Sequence, residues 1–131
     1  MVVVDTTVWI DYLKGRNSPE TDWLDQQLSR QRIGLLDLML CEILQGVSSE
    51  KEARLVEKHL LRFEIMESGG REIAVAAASN YRSLRRRGRT VRKTIDCLIA
   101  TCCIRGGHQL LHGDRDFDPF EEFLGLTVIH P

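Results

Sequence analysis

Apolar residues along the chain occur in short runs that alternate with longer segments of helical spacing. The run Val2–Val4 is apolar and β-branched, which is typical of a buried strand. By the same reasoning, further strands are predicted at Ile33–Leu35, Phe63–Met66, Gln109–His112 and Leu126–Ile129. Each run is short, so these strands are expected to lie in one small sheet.

The segments between these strands have the pattern of helices. The clearest helix is predicted over Arg71–Arg87, where an apolar stripe recurs every three or four residues and Gly88 follows. The segment Thr94–Ile104 is apolar nearly all round, so this helix is expected at the buried centre, with Thr94 as its N-cap. A helix is predicted at Val8–Leu13, and a second one begins after an N-cap at Ser18. Further helices are predicted at Leu38–Leu44, Glu50–Arg62 and Pro119–Phe123.

Strands that alternate with helices predict an α/β fold with a central, mostly parallel sheet covered by helices on both faces. No repeat, long linker or low-complexity segment interrupts the pattern, so we expect one domain over residues 1–131. In such sheets, functional sites form at the carboxyl ends of the strands.

Two carboxylates stand where a fold does not require them. Asp5 directly follows the first strand, where it is either a helix N-cap or a site residue. Glu42 lies within an otherwise apolar helix, where a buried carboxylate without a partner costs several kcal/mol. Glu42 therefore either faces solvent or has a ligand.

Two further acidic positions follow later in the chain. Asp96 lies in the first turn of the predicted central helix, where the helix dipole favours an anion, yet a buried carboxylate also requires a cation. Asp114 and Asp116 follow the fourth strand. Their loop is either an Asp-rich turn or a site, and it lacks the Gly and Glu of an EF-hand.

Together these acids can converge at one end of the sheet. Clustered carboxylates repel one another, which raises the pKa of at least one of them unless a cation is bound. Mg²⁺ and Mn²⁺ prefer oxygen ligands, and either ion can activate a bound water for attack on a phosphate. No nucleophile elbow, P-loop or dinucleotide glycine motif competes with this interpretation.

The net charge of the chain does not indicate a nucleic-acid partner, but the local distribution of basic residues does. The formal net charge is −1, so the chain has no basic character as a whole. Seven bases and no acid nevertheless lie between Arg82 and Lys93. A solvated helix C-terminus explains some of them, and binding to a phosphate backbone explains the number better. The candidate contacts are Arg85, Arg86, Arg87, Arg89 and Arg92.

Other classes of protein are excluded more directly. No apolar stretch approaches the roughly 20 residues that span a membrane, and the start of the chain lacks the features of a signal peptide. The four cysteines have no zinc-site spacing, and we expect them to be buried thiols in a reducing cytoplasm.

Four segments in order carry a family resemblance. The segments Val3–Ile10, Cys41–Gly46, Val91–Ala100 and His112–Phe117 resemble the motifs of PIN-domain ribonucleases, especially the VapC toxins of bacterial toxin–antitoxin systems. They span nearly the whole chain. The resemblance implies a PIN-like three-layer α/β/α sandwich and a metal-dependent endoribonuclease toxin.

The resemblance also implies roles for individual residues. The family's acidic metal-binding quartet matches Asp5, Glu42, Asp96 and Asp114, and these residues would carry catalysis. Asp116 matches an additional acidic position, either a ligand or a residue just behind the ligands. Thr6 matches the family's hydroxyl after the first acid.

One position departs from the family's pattern. His112 stands where the family usually has Thr or Asn, so it is either a structural histidine or a contact to phosphate or water.

The resemblance also implies a cofactor and partners. The cofactor is Mg²⁺ or Mn²⁺, and the substrate is RNA. The toxin is expected to form a homodimer and to bind a cognate VapB-type antitoxin that wraps the toxin and blocks its site.

Two other functions remain open from the sequence. A phosphoacceptor or phosphohydrolase domain also places Asp at a strand end, although the haloacid-dehalogenase type requires a second Asp where this chain has Thr7. A non-catalytic RNA- or protein-binding module on the same scaffold is the other alternative. Such a module is expected to lack some of the carboxylates that this chain retains.

Overall fold

Five parallel strands form the centre of the molecule in a computed structural model that describes residues 1–131. The strands are β1 (Val2–Val4), β2 (Ile33–Leu36), β3 (Glu64–Met66), β4 (Gln109–Leu111) and β5 (Thr127–Val128), in the order β3-β2-β1-β4-β5. All four pairings are parallel. The mostly parallel sheet expected from the sequence is therefore wholly parallel.

Strand β1 lies in the middle of the sheet. All three of its valines are buried, as expected for a strand covered on both faces. Val3 is in register with Gly34 of β2 and with Leu110 of β4. The first strand of the chain thus lies between neighbours that come from much later segments.

Seven helices connect the strands. They are α1 (Thr6–Leu13), α2 (Pro19–Gln27), α3 (Asp37–Gln45), α4 (Glu50–Leu60), α5 (Gly70–Arg86), α6 (Thr94–Gly106) and α7 (Asp118–Leu124), with a 3₁₀ turn at Arg115–Phe117. The first four pack against one another, and α5 contacts both α6 and α7. Because crossovers between parallel strands are right-handed, the reversal of strand order after β3 puts these two groups on opposite faces.

The predicted fold class is confirmed, with small errors at element ends. Phe63 precedes β3 because its backbone N–H donates to the carbonyl of Leu60 in a turn. His112 lies one residue beyond β4, where its ring serves the next loop. Thr94 is the first residue of α6 rather than its N-cap, a position that Lys93 occupies.

Helix α6 is buried along most of its length, as its apolar sequence predicts. Seven of its thirteen residues are buried, including Ile99 and Ala100. Cys97, Cys102 and Cys103 are among them, whereas Cys41 is exposed on α3. The expectation of four buried thiols is thus wrong for Cys41, which lies on the outward side of its helix.

No helix combines the length and the apolar character that crossing a membrane requires.

Candidate acidic metal site

The site lies where the order of the strands reverses. The chain moves from β1 towards β2 and β3, then returns to add β4 on the other side of β1. The carboxyl ends of β1 and β4 flank the resulting crevice, where α/β sheets bind their ligands. The Asp5 N–H donates to the carbonyl of Leu111 at 2.9 Å, which joins the two strand ends.

Asp5 is the acid at the end of β1, and only 5% of its surface is exposed. It occupies the N-cap position of α1, but its side chain accepts no capping hydrogen bond. One of its carboxylate oxygens instead accepts a hydrogen bond from the Thr7 hydroxyl at 3.3 Å. Burial, with smaller contributions from the charges of Asp96 and Glu42, raises the pKa of Asp5 to about 7.

Glu42 reaches the same region from α3. It is half-buried, and its Oε1 accepts a hydrogen bond of 2.8 Å from the Thr6 hydroxyl. Thr6 is itself buried at the start of α1, next to Asp5 in the chain. The hydroxyl after the first acid thus connects two of the carboxylates that the sequence singled out.

Asp96 enters from the first turn of α6 and is 6% exposed. Its Oδ2 is buried and has no hydrogen-bond partner. Burial first, and then the charge of Asp114, raises the pKa of Asp96 to about 6, although Lys93 opposes the shift. A buried carboxylate oxygen without a partner is rare in folded proteins and indicates an absent cation or water.

Asp114 and Asp116 lie on the loop after β4. One ligand atom from each of Asp96, Asp114 and Asp116 lies within 4.8 Å of the others. The Asp116 N–H donates to Asp114 Oδ1 at 2.9 Å, which holds the two acids of this loop together. Asp116 therefore belongs to the tightest group of acids, together with two members of the predicted quartet, Asp96 and Asp114.

These residues fit a hard divalent cation. The donor set consists of carboxylates, which Mg²⁺ and Mn²⁺ prefer, and it includes the unpartnered oxygen of Asp96. Burial first, and then the charges of neighbouring acids, raise the pKa values of Asp5 and Asp96. A bound cation would relieve both the repulsion and the unpartnered oxygen.

His112 holds the acidic loop in place through a hydrogen bond to the backbone of Asp114. Its Nδ1 accepts a hydrogen bond from the Asp114 N–H at 3.0 Å, and its ring lies 4.9 Å from the ring of Phe117. Burial lowers the pKa of His112, which suits a nitrogen that must be unprotonated to accept. The ring thus fixes the backbone of Asp114 and does not itself extend into the acid cluster as a ligand.

A polar cleft of about 640 Å³ opens beside Asp114. Arg92 and Arg115 line one part of it, and Ser18 and Glu20 from the start of α2 line another. Its lining is almost wholly polar. The cleft thus brings two guanidinium groups and three carboxylates together on one polar surface beside the acid cluster.

The basic segment Arg82–Lys93 is less free than its sequence suggests. Arg89 pairs with Glu122, and the guanidinium of Arg87 lies 4.8 Å from the centre of the Phe123 ring. Arg85 lies 5.7 Å from the centre of the Tyr81 ring. These contacts orient the arginines along the end of α5, and they cover aromatic faces on which a base would otherwise be able to stack.

Arg92 differs from the other bases because it joins the acid cluster. Its guanidinium contacts both carboxylate oxygens of Asp116 at 3.0–3.2 Å. The hydrogen bonds to Asp116, and then its charge, raise the pKa of Arg92 above its usual value. The sequence places these residues 24 positions apart and offers no signal of the pairing.

Sequence reasoning also missed the cleft residues Ser18, Glu20 and Arg115. The sequence predicts only a helix-capping role for Ser18, and Ser18 has that role, since its hydroxyl accepts a hydrogen bond from the Thr21 N–H. Arg115 lies between two candidate acids, and that position was the one available signal. The wall that α2 provides depends on how the α1–α2 turn folds back, which no local pattern encodes.

A scan against protein-family models matches residues 2–122 to the PIN domain. Among curated proteins, the chain is 32% identical over 130 residues to "VapC ribonuclease Mb1587" of Mycobacterium bovis, covering 98% of this chain and 97% of that protein. It is equally similar to "Ribonuclease VapC11" of Mycobacterium tuberculosis, with the same coverage.

Solved structures share the fold at lower identity. A chain of VapBC2 from Rickettsia felis, crystallised bound to a DNA fragment from the promoter, superposes with a TM-score of 0.76 at 16% identity, covering 98% of each chain. A chain of VapBC-1 from nontypeable Haemophilus influenzae gives 0.76 at 18% identity, covering 98% of this chain and 97% of that one.

Proposed function

We propose that this chain, which belongs to the PIN domain family, is a metal-dependent endoribonuclease that acts as the toxin of a toxin–antitoxin pair. The observation that carries the proposal is the group of Asp96, Asp114 and Asp116, in which Asp96 has an unpartnered buried oxygen. Asp5 and Glu42, from two further segments, lie near enough for their charges to act on one another and on Asp96. The two curated relatives that are 32% identical to this chain are both named as ribonucleases, which supports the proposal.

In this proposal, Asp5, Glu42, Asp96 and Asp114 hold Mg²⁺ or Mn²⁺. The bound ion would supply an activated water and would stabilise charge on the phosphate during hydrolysis of the RNA backbone. Thr6 orients Glu42 through its hydroxyl, and His112 fixes the backbone of Asp114. Asp116 lies against these acids with both carboxylate oxygens engaged by Arg92.

The RNA would approach along the basic side of the crevice. Arg85 and Arg86 form the end of α5 and Arg87 is its C-cap, and Arg89 and Arg92 follow in the loop that leads to α6. Contacts between these side chains and phosphates would hold the strand independently of its base sequence. The polar cleft beside Asp114 would then take the nucleotides next to the cut.

The partners in this proposal are those that the family provides. The solved neighbours are VapBC complexes, and we infer that a VapB-type antitoxin covers the acidic crevice of this chain and keeps it inactive. We further propose that the toxin is a homodimer and that it acts in the cytoplasm, where its RNA substrate lies.

The decisive experiment compares the wild-type protein with Asp96→Asn. The variant keeps the size of the side chain and is expected to fold, since it removes a charge that burial already disfavours. It should bind Mn²⁺ weakly, cleave RNA at least a hundredfold more slowly and no longer inhibit growth when expressed without antitoxin.

Glu67→Gln provides the matched control, because Glu67 is an exposed acid in the loop between β3 and α5. The control should cleave RNA and inhibit growth as the wild type does. Full cleavage by purified Asp96→Asn protein would remove the acidic crevice from the reaction. Absence of cleavage by the wild type with either metal would remove the nuclease assignment itself.

A further inference from the structure

The pair formed by Arg92 and Asp116 has an unusual distribution of exposure. The Arg92 side chain is 73% exposed, whereas the Asp116 side chain is only 15% exposed. A long cationic side chain in that environment ordinarily samples many rotamers, which makes isolated surface pairs weak. Here the guanidinium contacts both oxygens of one carboxylate, and the carboxylate itself is nearly buried.

The carboxylate is fixed in turn by the acidic loop. The Asp116 N–H donates to Asp114 Oδ1, and the 3₁₀ turn Arg115–Phe117 ends against the buried Phe117 ring. Asp116 thus has a defined position relative to the acid cluster, and its hydrogen bonds hold the Arg92 guanidinium in a defined position as well. The pairing links the loop before α6 to the loop after β4.

The bonds leave one part of the guanidinium available. Asp116 engages Nε and Nη2, and no hydrogen bond joins Nη1 to another protein group. Arg92 also lines the polar cleft beside Asp114. Because a guanidinium is planar and carries five N–H donors in fixed directions, holding one edge fixes the directions of the remaining donors.

We propose that Asp116 is a positioning residue that holds Arg92 as a phosphate anchor in this cleft, for a phosphate flanking the one that is cut. This inference rests on the proposed ribonuclease function. Asp116 then acts through Arg92, and metal binding depends on the other acids. In this proposal Asp116, whose two carboxylate oxygens both accept hydrogen bonds from Arg92, contributes to substrate binding and not to the metal centre.

The proposal predicts that removing Asp116 changes RNA affinity in the direction opposite to that expected from charge repulsion alone. Removing a carboxylate beside an RNA site should strengthen RNA binding if that carboxylate only repels phosphate. If Asp116 orients Arg92, its removal should weaken binding although the protein becomes less negative. A metal ligand carries an unneutralised charge when metal is absent, so removing it should strengthen RNA binding in EDTA.

The test measures binding of a non-cleaved, fluorescently labelled RNA in EDTA for the wild type, Arg92→Gln, Asp116→Ala and the double variant. Arg92→Gln and Asp116→Ala are each expected to weaken binding by roughly tenfold or more, the order expected for one charge-assisted hydrogen bond. The double variant should bind no more weakly than Arg92→Gln alone, because the two residues act as one unit.

Glu67→Gln is the control, since Glu67 is an exposed acid that does not line the cleft. Its substitution should leave RNA binding unchanged. Circular dichroism and thermal unfolding establish that each variant is folded. If Asp116→Ala binds RNA as tightly as the wild type, or if the two single effects add in the double variant, Asp116 does not position Arg92.

A second measurement separates positioning from metal binding. With Mn²⁺ present, Asp116→Ala should raise KM by about the factor by which RNA affinity falls, while kcat and Mn²⁺ affinity stay near wild type. Loss of Mn²⁺ affinity with a collapse of kcat would make Asp116 a ligand and overturn the inference. That outcome leaves the nuclease function intact, because the function depends separately on the Asp96→Asn result.

Discussion

Asp5→Asn should make the metal-free protein more stable at pH 8, although it removes a residue of the candidate site. The substitution keeps the shape of the side chain and an oxygen that can accept from the Thr7 hydroxyl. It removes the need to ionise a carboxyl group that is 5% exposed and lies near the charges of Asp96 and Glu42. Sites of this kind are held together at a cost to the stability of the fold.

The size of the gain follows from the pKa of Asp5, which folding raises from 3.8 to about 7. In the unfolded chain the group ionises near 3.8, so between that pH and 7 the folded state holds a proton that the unfolded state has lost. Stability from this group is therefore complete below pH 3.8 and is lost as the pH rises to about 7. Each pH unit corresponds to about 1.4 kcal/mol.

The wild type therefore forgoes roughly 4 kcal/mol at pH 8, and less than half of that at pH 5, relative to a neutral side chain. Urea unfolding of both proteins in EDTA at the two pH values measures this difference. At pH 8 the unfolding midpoint of Asp5→Asn should lie about 2 M above that of the wild type, for a typical slope of about 2 kcal/mol/M.

Two controls define the outcome that would refute this reasoning. Glu67→Gln, at an exposed position, should shift the midpoint little at either pH. Adding Mg²⁺ at pH 8 should stabilise the wild type and leave Asp5→Asn nearly unchanged, because only the charged site binds the ion. A gain that is the same at pH 5 and pH 8, or a loss at both, would show that burial of the Asp5 charge does not strain the metal-free fold.

Two further predictions concern the basic segment and the sheet. Replacing Arg85, Arg86 and Arg87 by Ala should reduce the slope of log K for RNA against log salt by about 2, if all three contact phosphates; an unchanged slope would exclude them from the RNA path. Gly34→Ala should lower the urea midpoint, because its Cβ would lie 2.6 Å from a backbone carbonyl of β3, whereas Gly46→Ala, which meets only ordinary contacts, should not.

The fold could be predicted from local patterns because each element carries its own signal. The run Val2–Val4 and the nearly all-apolar helix α6 occupy the centre of the molecule, as their residues require. Local patterns fail at element ends, where single contacts decide. Phe63 is drawn into a turn by Leu60, and His112 leaves the strand to bond the loop.

The acids could be singled out from the sequence because a carboxylate is conspicuous in an apolar segment or at a strand end. Their meeting in one crevice follows from the parallel topology, which the sequence also predicts. The pairing of Arg92 with Asp116 and the cleft wall from α2 could not be foreseen. Both depend on the relative placement of loops, which no periodicity records.

The position of β1 between β2 and β4 has a consequence for the time at which activity appears. Strand β1 is made first, yet its neighbour β4 is added only when the chain has passed residue 109. A nascent chain that has emerged as far as Asp96 therefore carries three acids of the quartet but not the loop of Asp114, and the crevice between β1 and β4 has only one wall. Synthesis itself delays the formation of the site until β4 and the loop of Asp114 have left the ribosome, which gives a growing chain little opportunity to cut RNA before a partner can bind it.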